Sequence, residues 1–180
     1  MTELPLVLIM GQRAGPATGL PNKTQQGELS FVLNAGHGEF PRIILAPGDV
    51  EECFNLTFEA FNLADKLQNP VIILPDVFLQ NNAKIINNFD VTKLKVDRGL
   101  LLKDSELQNL KDFKRYSFDT KTGVTLRSVP GQINGRYNCP SDEHDESGQP
   151  CEDIVNREKI MQKRMIKLHQ VTSIKLINFE

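Results

Sequence analysis

The sequence predicts an α/β fold: a parallel sheet with flanking helices, then an irregular C-terminal extension and a closing helix. Three observations carry this. Two nearly unbroken apolar runs, residues 4–10 and 71–74, have the make-up of strands buried on both faces. Between them, residues 50–67 repeat apolar side chains at i, i+3, i+4 and i+7, the mark of an amphipathic helix. Strand and helix alternate over short links, which implies βαβ units with right-handed connections.

Taken in order, residues 4–10 form the first strand, and the lack of polar alternation assigns it a central position in the sheet. It runs into Gly11-Gln12-Arg13-Ala14-Gly15-Pro16-Ala17-Thr18-Gly19-Leu20-Pro21, a rigid and tightly turning loop. Residues 26–35 carry Leu29, Val32 and Leu33 at helical spacing, and Gly36-His37-Gly38 ends that helix. A second short strand covers residues 42–46. Pro47-Gly48 turns the chain, and Asp49 with Glu52 three residues on makes a capping-box pattern. The helix over 50–67 presents Val50, Cys53, Phe54, Thr57, Ala60, Phe61, Ala64 and Leu67 as one stripe; Asn69-Pro70 stops it. After the third strand the pattern weakens. A helix is expected over 77–86 and a short one over 105–110, inside a largely irregular stretch from 89 to 152 that suits packing on a partner. Residues 154–169 return to helix, with Ile154, Met161, Met165 and Leu168 as its apolar stripe and Arg157, Lys159, Lys163, Arg164 and Lys167 as a solvated surface.

The 180 residues suffice for a sizeable core, and 39% hydrophobic with 24% charged residues is ordinary for a globular protein. A formal net charge of -2 gives no electrostatic case for nucleic acid or an anionic membrane as partner. No apolar run approaches bilayer length. Three cysteines, Cys53, Cys139 and Cys151, with no CxxC, fit a reducing cytoplasm better than a disulfide framework.

Arg13 follows the carboxyl end of a strand, where parallel α/β sheets bind ligands. Its guanidinium offers a planar fork suited to a carboxylate or phosphate. Residue chemistry leaves two roles open, an anion site or a structural ion pair. Thr18 in the same loop could donate to a ligand or stabilise the turn. His37 between two glycines could be a proton donor near neutral pH or pack a helix end. Cys139, His144 and Cys151 match no standard zinc spacing, so no metal site is assigned.

The words QRAGPATGLPNKTQQGEL and GHGEFPRIILAPGDVEECFNLTFEAFNLADKLQNPVIILPD, with RGLLL, DFKRY and SDEHDESG further on, resemble the alpha subunit of 2-oxoacid:ferredoxin oxidoreductases, the 2-oxoglutarate branch in particular. The resemblance implies a thiamine-diphosphate enzyme in which Arg13 binds the carboxylate of the 2-oxo acid; Thr18 and His37 are the further candidate substrate contacts, and no catalytic residue is assigned to this chain. It implies the latter half of a pyrimidine-binding α/β domain over residues 1–90, and over 91–180 an extension leading towards the next domain, with both ends truncated. The family's YPITP-like motif and activating glutamate lie upstream of the matched segment, and no GDG motif is present to hold Mg²⁺ and the diphosphate. Thiamine diphosphate and Mg²⁺ are therefore expected at an interface with the beta subunit and not on this chain alone, which by itself would be inactive. Oxidised ferredoxin, coenzyme A and a 2-oxo acid are the implied partners. Two departures from the family pattern stand beside Arg13: Ala17 replaces a serine, and Gln25 the glutamate of TEQGDL. They leave open a non-catalytic truncated paralogue that keeps only an interaction surface. An unrelated flavodoxin-like anion-binding domain is the third alternative.

Overall fold

The computed structural model describes residues 1–171. Leu4–Asp97 forms one compact unit, and Met1–Glu3 with the chain from Arg98 onward forms a second.

The first unit holds a three-stranded, fully parallel sheet in the order β1-β3-β2. Its strands are β1 (Leu6–Ile9), β2 (Ile43–Leu45) and β3 (Pro70–Ile73). Register runs Leu6 opposite Pro70 and Ile43 opposite Val71. Val71, Ile72, Ile73 and Leu74 are buried, so β3 takes the centre. The expected central position of residues 4–10 is corrected: β1 lies on an edge, with Leu6, Leu8 and Ile9 exposed to 48%, 46% and 68%. An apolar run records what a strand would bury, not which neighbours it has.

Helix α2 (Val50–Leu67) has the expected bounds. The Asp49 carboxylate accepts from Glu52 N at 2.8 Å, and Glu52 Oε2 accepts from Gly48 N at 2.6 Å. Gln68 at φ 53° ends the helix in the left-handed region. Its buried face is Ala60, Leu63, Ala64 and Leu67, packed over β3 and β1. Leu63 and Leu67 each contribute about 1.5–3 kcal/mol of apolar transfer. The stripe is thus rotated from the expected one: Leu63 enters it, while Phe61 faces solvent. Phe54 instead stacks on Phe89, ring centroids 3.9 Å apart.

Helix α1 covers only Leu29–Asn34, three residues shorter at its start than expected. Gly27 weakens the turn there, and the Glu28 side chain is engaged elsewhere. Only Val32 of its apolar residues is buried, against Ile72 and Leu74. Arg42 holds the far end of α1 by donating from Nη1 to the carbonyls of Val32 (2.7 Å) and Ala35 (2.6 Å) while lying over Phe40. Helix α3 is the single turn Val77–Gln80, capped by Asp76; Asn81 and Asn82, poor helix formers, end it well before residue 86.

The second unit carries α4 (Asp104–Asn109) and α5 (Ile154–Val171). The irregular stretch is ordered within the unit by local bonds. Leu102 N donates to Arg127 O and Arg127 N to Leu100 O, at 2.9 and 3.0 Å. Asp145 Oδ1 accepts from Ser147 N, Ser147 Oγ and Gln149 N, so the acidic run closes on itself as a turn. Gly123, at φ +76°, lets α5 cross: a Cβ there would sit 2.3 Å from Lys163 O.

The expected polarity of α5 is corrected in part: Arg157 and Lys159 are exposed as expected, but three of its cations are not. Ile160, Lys163, Arg164 and Lys167 are its buried residues, whereas Ile154 is exposed. Lys163 and Lys167 grip the buried carboxylate of Glu3 at 2.7 and 2.6 Å, and Arg164 bonds Glu143 at 2.5 Å. Burial would raise the Glu3 carboxyl, but the two ammoniums hold it down to about 2. Burial lowers Lys167 to about 8 against the pull of Glu3. Sequence residues 172–180, expected to match nothing in the family, lie outside the described residues.

Candidate functional site

The loop after β1 is fastened to the carboxyl end of β3. Gln12, buried, donates from its backbone N to Pro75 O (2.8 Å) and from Nε2 to Leu74 O (3.3 Å), and accepts from Val77 N at 3.0 Å. The next residue, Arg13, therefore leaves the sheet beside the point where β3 ends.

Beyond it the chain closes tightly. Leu20 N donates to Ala14 O at 2.8 Å and Ala14 N to Lys23 O at 3.2 Å, with a cis bond between Gly15 and Pro16. Gly19 makes this possible: at φ +51° a Cβ would lie 1.9 Å from Ala14 O. The 25–28 segment then returns across the loop. Glu28 Oε1 accepts from Arg13 N at 3.2 Å, and Gln26 Nε2 donates to Asp76 Oδ2 at 3.0 Å. The Leu79 amide and then the Gln26 amide hold the Asp76 carboxyl below its ordinary range.

These ties enclose a recess of about 820 Å³, lined by the 10–18 loop on one side and by Gln25, Gly27, Glu28 and Phe31 on the other. Arg13 lines it half-buried, and among the described residues its guanidinium has no hydrogen bond or ion pair. Thr18 lines it too and is exposed. His37 does not line it; it sits exposed between Gly36 and Gly38, both at positive φ. A half-buried cation with free donors and a hydroxyl in one recess suits an anionic ligand of small size. Arg13 and Thr18 stand out in the sequence, whereas Gln12, Glu28 and Phe31 do not. The only signal for Glu28 was its place in TQQGEL, just ahead of a helix.

A second recess, about 860 Å³, runs along residues 129–137 and Cys139 in the other unit, and none of Arg13, Thr18 and His37 lines it. His144 is fully buried, its ring nitrogens set on the carbonyls of Asp145 (2.9 Å) and Met1 (3.3 Å). Cys139 and Cys151 are free thiols. Among the described residues no three His, Cys, Asp or Glu gather as metal ligands, and the Arg13 recess carries one carboxylate. The residues present therefore do not by themselves fit a diphosphate held through a divalent cation. No helix among them is long and apolar enough to cross a membrane.

The family described as pyruvate flavodoxin/ferredoxin oxidoreductase, thiamine diphosphate-binding, matches residues 1–164. The chain is 41% identical over 170 residues to 2-oxoacid:ferredoxin oxidoreductase 1, subunit alpha, of Sulfurisphaera tokodaii, covering 93% of this chain and 26% of that protein. It is 37% identical over 131 residues to 2-oxoglutarate oxidoreductase subunit KorA of Mycobacterium tuberculosis, covering 73% of this chain and 19% of that one. Its fold superimposes on the 2-oxoglutarate:ferredoxin oxidoreductase of Magnetococcus marinus, solved with 2-oxoglutarate, coenzyme A and succinyl-CoA bound. The TM-score there is 0.90 at 31% identity, over 98% of this chain and 30% of that one. The chain thus spans about a quarter of the length of the curated alpha subunit it matches over most of its length.

Proposed function

Since the chain belongs to the pyruvate flavodoxin/ferredoxin oxidoreductase thiamine-diphosphate-binding family, we propose that it serves within a 2-oxoacid:ferredoxin oxidoreductase, where Arg13 binds the substrate carboxylate. The observation that carries this is the guanidinium of Arg13, without a partner among the described residues and half-buried in a recess at the carboxyl end of a parallel sheet. The overall reaction is oxidative decarboxylation: a 2-oxo acid, coenzyme A and oxidised ferredoxin give acyl-CoA, CO₂ and reduced ferredoxin. 2-Oxoglutarate is favoured as substrate by the names of the KorA relative and of the solved structure.

When bound, thiamine diphosphate supplies the carbanion chemistry. This chain's residues carry a narrower task. Arg13 fixes the carboxylate by its planar fork, Thr18 offers a hydroxyl in the same recess, and Phe31 gives an apolar wall. His37, which does not line this recess, is a further substrate contact of the assembled enzyme in this reading. Diphosphate and Mg²⁺ are held at an interface with a beta subunit, and residues from about 91 onward lead towards the next domain. The three free cysteines suit the reducing cytoplasm.

The test is co-expression with a beta subunit of the family and measurement of ferredoxin reduction driven by 2-oxo acids. Arg13→Ala in that complex lowers kcat/KM by about 2–4 kcal/mol, and Arg13→Lys recovers part of it, since an ammonium lacks the fork. An Arg13→Ala complex within twofold of the parent refutes the role. A second reading, a non-catalytic module that only joins other chains, is favoured by the exposed apolar edge at β1. Under it the chain captures a beta subunit, but the complex turns over no 2-oxo acid.

A further inference from the structure

Glu28 is the one acidic side chain among the residues lining the Arg13 recess, and Arg13 is the one basic side chain. A carboxylate is an unexpected wall for an anion site, because it repels the ligand unless it acts through the cation. Its two oxygens are used unequally. Oε1 accepts from the backbone N–H of Arg13 at 3.2 Å. Oε2 is shut off from solvent and, among the described residues, has no donor.

A buried carboxylate oxygen without a donor is destabilising, and a neutral acceptor would hold the Arg13 amide without it. The oxygen therefore calls for a donor from a neighbour that can turn. Of the side chains around this recess, the guanidinium of Arg13 has free donors and the complementary charge. Its five N–H groups lie on more than one edge of a plane, so it can meet one carboxylate while leaving a fork for another.

Resting on the reading of Arg13 as the carboxylate-binding residue, we propose that Glu28 is its positioning residue. On binding of a 2-oxo acid, the guanidinium sets one edge against Glu28 Oε2 and presents the other to the ligand. Glu28 then fixes both the main chain and the side chain of Arg13. The cation between them keeps the two carboxylates from facing each other directly.

The experiment uses the chain assembled with its partner subunits, with 2-oxoglutarate as the probe. KM and kcat are measured for Glu28→Gln and Glu28→Ala, alone and with Arg13→Ala, and direct binding is followed by calorimetry. Glu28→Ala raises KM about tenfold, the size of one hydrogen bond to a charged group, while kcat stays within about twofold. Glu28→Gln, nearly the same shape, raises KM at least about threefold and decides the matter if the alanine variant does not assemble. With Arg13→Ala in place, neither change adds more than about twofold, because the group being positioned is gone. An unchanged KM in the Glu28 variants, or an equal loss without Arg13, overturns the proposal. Sensitivity to Arg13→Ala with insensitivity at Glu28 overturns it alone; insensitivity at Arg13 removes the reading beneath it.

Discussion

Glu3→Gln removes one negative charge from between two buried ammoniums without changing the shape of the side chain. The Glu3 carboxyl falls from its ordinary 4.5 to about 2. At about 1.4 kcal/mol per pH unit, that drop corresponds to about 3 kcal/mol of stabilisation. Removing one partner from a buried ion pair independently suggests about 3–5 kcal/mol. Hydrogen exchange of the α5 amides, read by mass spectrometry at pH 7, should show protection falling by that amount. Because the folded carboxyl titrates below the unfolded one, the parent's stabilisation is complete above about pH 4.5 and is lost as pH falls towards 2. The ammoniums add an opposite signature. Lys167 already titrates near 8, so in Glu3→Gln it sheds its proton more readily, and the deficit shrinks as pH rises from 7 to 9. A loss of protection worth under about 1 kcal/mol, or one independent of pH, would refute the view that Glu3 anchors this helix.

Two further expectations concern the first unit. Gly19→Ala forces a Cβ against the Ala14 carbonyl at a positive φ; it should loosen the Arg13 loop by about 1–3 kcal/mol, seen as faster exchange at Leu20 and Lys23 with α2 unchanged. Ile9→Lys on the open face of β1 should lower self-association of the isolated chain in light scattering without lowering the protection of β3, and an unchanged particle size would show that this edge does not recruit other chains.

The sequence made some of this legible and hid the rest for physical reasons. Helix α2 was readable to the residue because both its ends are local chemistry: the Asp49 cap, and the break at Gln68-Asn69-Pro70. The three strands were found within two or three residues, since each is a dense apolar run between turn residues. The order of the strands was not readable, as β1 and β3 are nearly alike in composition yet take the edge and the centre. The apolar stripe of α5 misled because lysines normally seek water; what buries Lys163 is a carboxylate 160 residues away in sequence. Arg13 was legible as a residue following a strand. Glu28 was not, because its importance lies in a bond across fifteen positions to a main-chain amide.

The grip of Lys163 and Lys167 on Glu3 also sets a timetable. Contacts of the first unit lie between residues 4 and 97 and can form as soon as that stretch is made. The second unit must join residue 3 to a helix 160 positions later, and closing so long a flexible loop carries an entropic cost of about 4–5 kcal/mol. During synthesis the carboxylate of Glu3 stays in water until α5 emerges, and until that contact closes Lys163 and Lys167 lack their buried counter-charge. The second unit is therefore the late and slow part of folding, and the stretch most open to capture by chaperones or proteases while α5 is still being made.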